Sequence, residues 1–98
     1  MRFRASVMLA RMALEQQHAE EAIAWLERAS EAPAPSLQAA RAVLYDLGRT
    51  LERSGERERA LAVFMEIQAT EPDYRDVAER LRRLQDGGGK GQTKYPGS

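Results

Sequence analysis

Very few side chains of this sequence could carry out catalysis. The chain has no cysteine and a single histidine, His18, which excludes a thiolate or histidine-based metal cluster within one chain. His18 has no neighbour that would make a nucleophile–base pair, so we expect a solvated surface residue. Acidic pairs such as Glu20–Glu21 and Glu56/Glu58 stand at expected helix starts, where the helix dipole favours negative charge. We therefore predict that the chain is not an enzyme and uses no cofactor or metal.

A glycine-rich segment near the C-terminus superficially looks like a phosphate-binding loop. That motif needs Gly-Lys-Ser/Thr in direct succession between a strand and a helix. Here Lys90 is followed by Gly91 and Gln92, so we reject a nucleotide site. Residues 87–98 contain no aliphatic side chain and cannot bury surface to offset their ordering entropy. We predict one domain over 1–86 and a disordered glycine-rich tail, or a cloning remnant, over 87–98.

The charge balance argues against nucleic acid as a partner. Fifteen basic residues match fifteen acidic ones, the net charge is zero, and aromatic residues make up only 6%. A nucleic-acid binder would be expected to show a basic excess and stacking aromatics. No apolar run approaches the ~20 residues of a membrane span. We predict no nucleic-acid or membrane partner and, since no signal peptide is evident, a cytoplasmic location.

Residues before Asp86 have the composition and periodicity of α-helices. Ala, Leu, Glu and Arg dominate, apolar residues recur at steps of three and four, and no segment alternates with a period of two. Gly55 suits the left-handed residue that closes a helix, Ser36 suits an N-cap, and Pro72-Asp73 suits a stop followed by an N-cap. We predict five helices, near 2–16, 19–31, 37–54, 57–70 and 74–85. The short connections between them favour antiparallel neighbours.

The segment 41–74 resembles one complete tetratricopeptide repeat. The pattern of this family, roughly 34 residues long, sets large and small apolar residues on two helices and a proline after them. Its defining positions are occupied by Leu44, Leu47, Gly48, Leu51, Ala60, Phe64, Ile67 and Pro72. Gly48 and Ala60 lack bulk, so the two helices can approach closely while Phe64 fills the flank.

A first repeat over 3–36 matches the family less well, and its turn carries Gln17 instead of glycine, so we expect a looser turn. The segment 74–85 would be a capping helix, because the bulky Arg82 stands at a small-residue position. The resemblance implies an all-α, right-handed helical-repeat array with a concave groove. In the family, that groove receives an extended peptide or a partner's helix.

The resemblance also assigns candidate partner-binding residues to the groove. They are Arg4, Arg11, Tyr45, Arg49, Arg53 and Arg83. The preferred interpretation is a solvated face whose arginines pair with nearby acids. The alternative is an arginine-lined groove for an acidic peptide, with Tyr45 as an aromatic anchor, since guanidinium forks pair well with carboxylates. Trp25, next to the core position Leu26, either packs on the first helix or anchors an interface.

These features predict a non-catalytic protein–protein interaction module. It would bind a peptide or a partner's helix through the groove or the first helix. If the arginine-lined groove is the binding site, that peptide would be acidic. The alternative is a self-association element of a larger complex. It is favoured by the large apolar residues of the first helix, which spread round more of that helix than one buried stripe needs. They are Phe3, Val7, Met8, Leu9, Met12 and Leu14. That alternative predicts a homodimer through the first helix.

Overall fold

The computed structural model describes residues 2–90, with side chains described within residues 2–86, and it is all-helical over that range. The helices are α1 Arg2–Glu15, α2 Ala19–Glu31, α3 Leu37–Arg53, α4 Arg57–Thr70 and α5 Val77–Lys90. The prediction of an all-α chain is confirmed, and the first four helices end within one residue of their predicted bounds. Of the predicted tail, residues 87–90 belong to α5, and 91–98 lie outside the described residues.

The ends of α3 follow the signals seen in the sequence. Ser36 precedes the helix in an extended conformation, and its side-chain oxygen accepts a hydrogen bond from the Ala39 amide at 3.0 Å. This bond satisfies one of the amides that a helix start leaves without a partner. Gly55 follows the other end with a φ of 83°, the left-handed conformation that glycine adopts without strain.

The turn between α1 and α2 has the same backbone hydrogen bonds as the turn between α3 and α4, except that the Ser54 amide in the second turn has an additional acceptor, the Leu51 carbonyl. Gln17 has a φ of 63°, close to that of Gly55. The amides of His18 and Glu56 each donate to the carbonyl five residues earlier, at 2.8 and 2.9 Å. The expectation of a looser first turn is therefore wrong. Gln17 adopts the left-handed conformation despite its side chain, so the turn closes in the same way as the second one.

The start of α5 differs from the prediction. The helix begins at Val77, three residues after the predicted start at 74, so Asp73 is not its N-cap. The first helical bond runs from the Arg80 amide to the Asp76 carbonyl, at 2.9 Å. Arg75, with a φ of 42°, lies in the turn that separates Asp73 from the helix. A left-handed residue cannot continue a right-handed helix, which explains the later start.

The core lies where each helix packs on the next one in the chain, since the extensive contacts join α1 to α2, α2 to α3, α3 to α4 and α4 to α5. Its largest fully buried side chains are Leu51, Phe64, Ile67 and Val77. Of the residues that define the family pattern, six are buried, Leu44 is half-buried and Pro72 is exposed. Pro72 thus acts at the loop after α4 rather than in the core.

The closest approach in this core is between α3 and α4. A Cβ built on Gly48 would lie 2.7 Å from both Cε1 and Cζ of Phe64, nearer than real Cβ atoms come. The Phe64 ring is fully buried and cannot swing into solvent to make room. Ala60, on the same face of α4, is also fully buried. The contact therefore depends on the missing side chain of Gly48, as predicted.

We expect Gly48→Ala to destabilise the fold by about 1 kcal/mol in urea unfolding. Overpacking against Phe64 costs about 1–3 kcal/mol, which outweighs the ~1 kcal/mol that alanine gains over glycine in a helix. In a Phe64→Leu background the steric conflict is removed, so Gly48→Ala should become neutral or stabilising. A destabilisation of equal size in both backgrounds would contradict the Gly48–Phe64 contact.

We expect Gln17→Gly to raise the free energy of unfolding by about 0.5–1 kcal/mol, because it relieves the left-handed strain of a non-glycine residue. The reciprocal change, Gly55→Gln, should lower it by a similar amount. Differential scanning calorimetry on both variants checks this pair. Destabilisation by Gln17→Gly would show that the first turn does not hold Gln17 in that conformation.

Candidate interaction surface

A concave cleft of about 430 Å³ lies between α3 and the turn that joins α1 to α2. Residues of α3 that line it lie on successive turns of the helix. The lining residues from α3 are Asp46, Arg49, Thr50 and Arg53, and those from the turn region include Leu14 and Gln17. Two of the predicted groove residues, Arg49 and Arg53, thus lie side by side in one cleft.

Within residues 2–86, three arginines, Arg41, Arg59 and Arg80, form ion pairs with carboxylates, and Arg49 and Arg53 are not among them. The pairs that join different helices or loops include Arg41–Glu71, Arg59–Glu27 and Arg80–Glu52. Within residues 2–86, neither Arg49 nor Arg53 pairs with a carboxylate, and both side chains are exposed. Pairing of arginines with nearby acids is therefore seen at Arg80 on α5, whereas Arg49 and Arg53 form no such pair within residues 2–86.

Asp46 is the acid that lines this cleft. Partial burial of its carboxyl raises the pKa of Asp46, although the residue as a whole is exposed. The positive charges of Arg75, Arg49 and Arg11 act in the opposite direction. Three guanidinium groups therefore lie close enough to this single carboxylate to act on it, so positive charges outnumber negative ones around the cleft, an arrangement that favours an anionic ligand.

A hydrogen-bonded network next to the cleft joins α3 to the start of α5. The Tyr45 hydroxyl donates to Asp76 Oδ1 at 2.5 Å, and Arg80 Nε donates to Asp76 Oδ2 at 3.1 Å. The other branch of the Arg80 guanidinium donates to Glu52 Oε1 at 2.9 Å. The hydrogen bond from Tyr45 and the charge of Arg80 hold the pKa of Asp76 below its ordinary value. The network fixes α5 on α3.

Tyr45, predicted as an aromatic anchor in the groove, has another position in the structure. Its side chain is 6% exposed, and its ring packs edge-on against Phe64 and Tyr74, with centroids 6.0 Å away in both cases. The guanidinium of Arg75 stacks over the Tyr45 ring at 4.7 Å from its centroid. The ring is thus part of the core, with its hydroxyl in the network.

The remaining candidates do not meet at this cleft. Arg11 is close enough for its charge to affect Asp46, whereas Arg4 and Arg83 are exposed and are not among the lining residues. Trp25 is half-buried and lines a second hollow of about 550 Å³, where the Arg28 guanidinium stacks at 5.1 Å from its ring centroid. The groove arginines and Trp25 therefore belong to separate surfaces.

Sequence reasoning missed the contribution of Arg75. Its guanidinium stacks on Tyr45 and Tyr74, and its charge reaches Asp46 in the cleft. Arg75 reaches these groups because it takes a left-handed conformation in the loop before α5. The sequence indicated a helix at this position, so nothing in the pattern marked Arg75 as a residue of the cleft.

Two features of the described residues bear on other functions. Over the described range, acidic and histidine side chains nowhere gather in a group of three that could hold a metal ion. The helices of residues 2–90 include none whose length and apolarity would suit a membrane crossing. Comparisons with protein-family models, curated proteins and solved structures found no match.

We expect Asp76→Asn to lower the free energy of unfolding by about 1–2 kcal/mol at neutral pH, because it weakens charged hydrogen bonds to Tyr45 and Arg80 in a partly exposed site. The folded-state pKa of Asp76 is below the ordinary 3.8, so this contribution is present above that pH. It is lost as the pH falls through the folded pKa. Urea unfolding at several pH values should show the difference from the parent chain shrinking in acid.

The matched control for this change is Asp73→Asn, because Asp73 is exposed in the same loop and forms no ion pair within residues 2–86. It should change the free energy of unfolding by less than about 0.5 kcal/mol. Equal effects of the two changes, at every pH, would contradict a stabilising role for the Asp76 network.

Proposed function

We propose that this chain is a non-catalytic protein-interaction module that binds an acidic peptide in the cleft between α3 and the α1–α2 turn. The proposed architecture is a right-handed, tetratricopeptide-like array of two antiparallel helix pairs with α5 as a cap. Its support is the shared hydrogen bonding of the two turns and the Gly48–Phe64 contact at a position that the family pattern reserves for small residues. We propose a cytoplasmic setting, as the sequence suggested.

The observation that carries the proposal is the pair of unpaired guanidinium groups on one face of α3. Arg49 and Arg53 are four residues apart, so they lie one helical turn from each other. A guanidinium donates in a planar fork that matches a carboxylate, which makes arginine well suited to recognise acidic side chains. Two successive acidic groups of an extended or helical peptide could each meet one of these forks.

The lining of the cleft supports a peptide rather than a small anion. Leu14 offers an apolar wall, and Thr50 is buried with its hydroxyl donating to the Asp46 carbonyl at 2.8 Å. The cleft therefore combines charge with apolar surface, as peptide-binding sites generally do. The contact area is small, so we expect affinities in the micromolar range or weaker.

Fluorescence anisotropy with labelled peptides tests this function. A peptide rich in Asp and Glu should bind more tightly than neutral and Lys-rich peptides of equal length. Arg49→Ala and Arg53→Ala should each weaken that binding by about tenfold, which corresponds to about 1.4 kcal/mol for one charged hydrogen bond. Asp46→Asn should tighten it, because that change removes a negative charge from the cleft.

Arg82→Ala provides the matched control. Arg82 is exposed on α5, away from the residues that line the cleft, and its loss lowers the net charge by the same amount. It should leave peptide binding unchanged within about twofold. Equal weakening by Arg82→Ala and Arg49→Ala would indicate non-specific attraction, and equal binding of all peptides would contradict the proposal.

A second candidate function is self-association within a larger assembly. It is favoured by α1, where Met8 is 63% exposed, Met12 is 50% exposed and Leu9 is 36% exposed. A run of large apolar side chains on one helix is typical of an interaction surface, because water contact there is unfavourable. The two candidates use different surfaces, so one chain could serve both.

A further inference from the structure

The exposed apolar side chains of α1 form a single stripe, made of Ala5, Met8, Leu9 and Met12. Their spacing of three, one and three residues places them on one face of the helix. That face lies away from the buried side of α1, which packs on α2 and consists of Phe3, Ser6, Ala10 and Ala13. The stripe is therefore not needed for the fold of the monomer.

Most of the corresponding positions of α3 are covered by protein, whereas Met8 corresponds to the exposed Asp46. Alignment of the two helix pairs by their common turns places Leu9 and Met12 where α3 has Leu47 and Thr50, which are buried. The helix α3 packs between α2 and α4, whereas the extensive contacts of α1 within residues 2–90 are with α2 alone. The stripe on α1 thus lies on a face that, on the equivalent helix, belongs to an interface.

We propose that this stripe binds the same stripe of a second copy of the chain, with the two α1 helices antiparallel. The stripe is symmetric about a point between Met8 and Leu9, so a two-fold axis there sets Met8 against Leu9 of the second copy. The same axis sets the small Ala5 against the flexible Met12. An isologous pair requires this kind of self-complementary patch, and methionine adapts well to a helix packed against it. The inference rests on the second candidate function, self-association.

The charges of α1 favour the antiparallel orientation. Arg2 and Arg4 lie at the start of the helix, and its only acid, Glu15, lies at the end. Within residues 2–86 none of the three forms an ion pair. An antiparallel pair brings Glu15 of each copy to the arginines of the other. A parallel pair would set the arginines of the two copies together, and like charges at close range repel.

The size of the surface sets the expected strength of the dimer. The helix α1 has 14 residues, and a pair of such helices buries an area at the low end of specific interfaces, below ~1,200 Å². Weak dimers of this size have dissociation constants of about 1–100 µM. Sedimentation equilibrium of the whole chain from about 1 to 500 µM therefore spans the expected transition.

The first test changes the residue next to the proposed two-fold axis. Met8→Glu should weaken the dimer at least about tenfold, because it places two carboxylates together in an apolar seam. Met65→Glu is the matched control, since Met65 is 52% exposed on α4 and lies outside the stripe. Circular dichroism should show unchanged helicity for both, because neither side chain is buried. If Met8→Glu leaves the dissociation constant of the dimer unchanged, the chain still self-associates, but not through the α1 stripe, and the proposed interface is wrong.

The second test swaps the charges at the ends of the seam. Arg4→Glu and Glu15→Arg should each weaken the dimer about three- to tenfold, and the two changes together should restore it. The two residues are about 16 Å apart along one helix, given a rise of ~1.5 Å per residue, so they cannot pair within one chain. Rescue by the double variant supports the antiparallel pair.

Two further outcomes overturn the proposal. A monomer at every concentration would remove both self-association and the α1 pair, while leaving acidic-peptide binding at Arg49 untouched. A dimer whose charge-swapped variant stays as weak as the single variants would exclude the antiparallel orientation. A dimer that depends on Met8 and is rescued by the double variant supports the assignment of a second copy rather than an unrelated helix.

Discussion

The fold depends on how closely α3 and α4 can approach each other. Gly48 lets the Phe64 ring lie where a Cβ would otherwise be, and this places Phe64 against Tyr45 as well. Tyr45 in turn presents its hydroxyl to Asp76, and Asp76 holds Arg80 at the start of α5. One missing side chain thus sets the position of three helices. Any ligand in the adjacent cleft would bind to a surface whose geometry follows from that contact.

Burial divides the charged residues in and next to the cleft into two groups. Arg80, Asp76 and Glu52 satisfy one another and stabilise the junction of α3 with α5. Arg49 and Arg53 have no such partners within residues 2–86 and face the cleft. Residue type alone does not distinguish the two groups, because both contain arginine. The distinction comes from the position of Arg80 at the start of α5, within hydrogen-bond distance of Asp76 and Glu52.

Helix positions could be predicted from the sequence wherever a local signal decided them. Ser36 and Gly55 act within a few residues of their own position, so the ends of α3 followed from residue type. The start of α5 could not be predicted, because Arg75 adopts a left-handed conformation that places its guanidinium over Tyr45, far away in sequence. The burial of Tyr45 depends on the same distant contacts. Arg49 and Arg53 were predicted as surface residues, but their lack of partners required the structure.

The sequential order of helix contacts has a consequence for how this protein opens. Because each helix packs mainly on its neighbour in the chain, most contacts are local, which favours rapid folding and non-uniform stability. The largest fully buried side chains belong to α3, α4 and α5, whereas small alanines contribute much of the burial between α1 and α2. The first helix pair should therefore have the lower local free energy of opening. Its amide protons would exchange with solvent through partial unfolding, while the later helices remain protected.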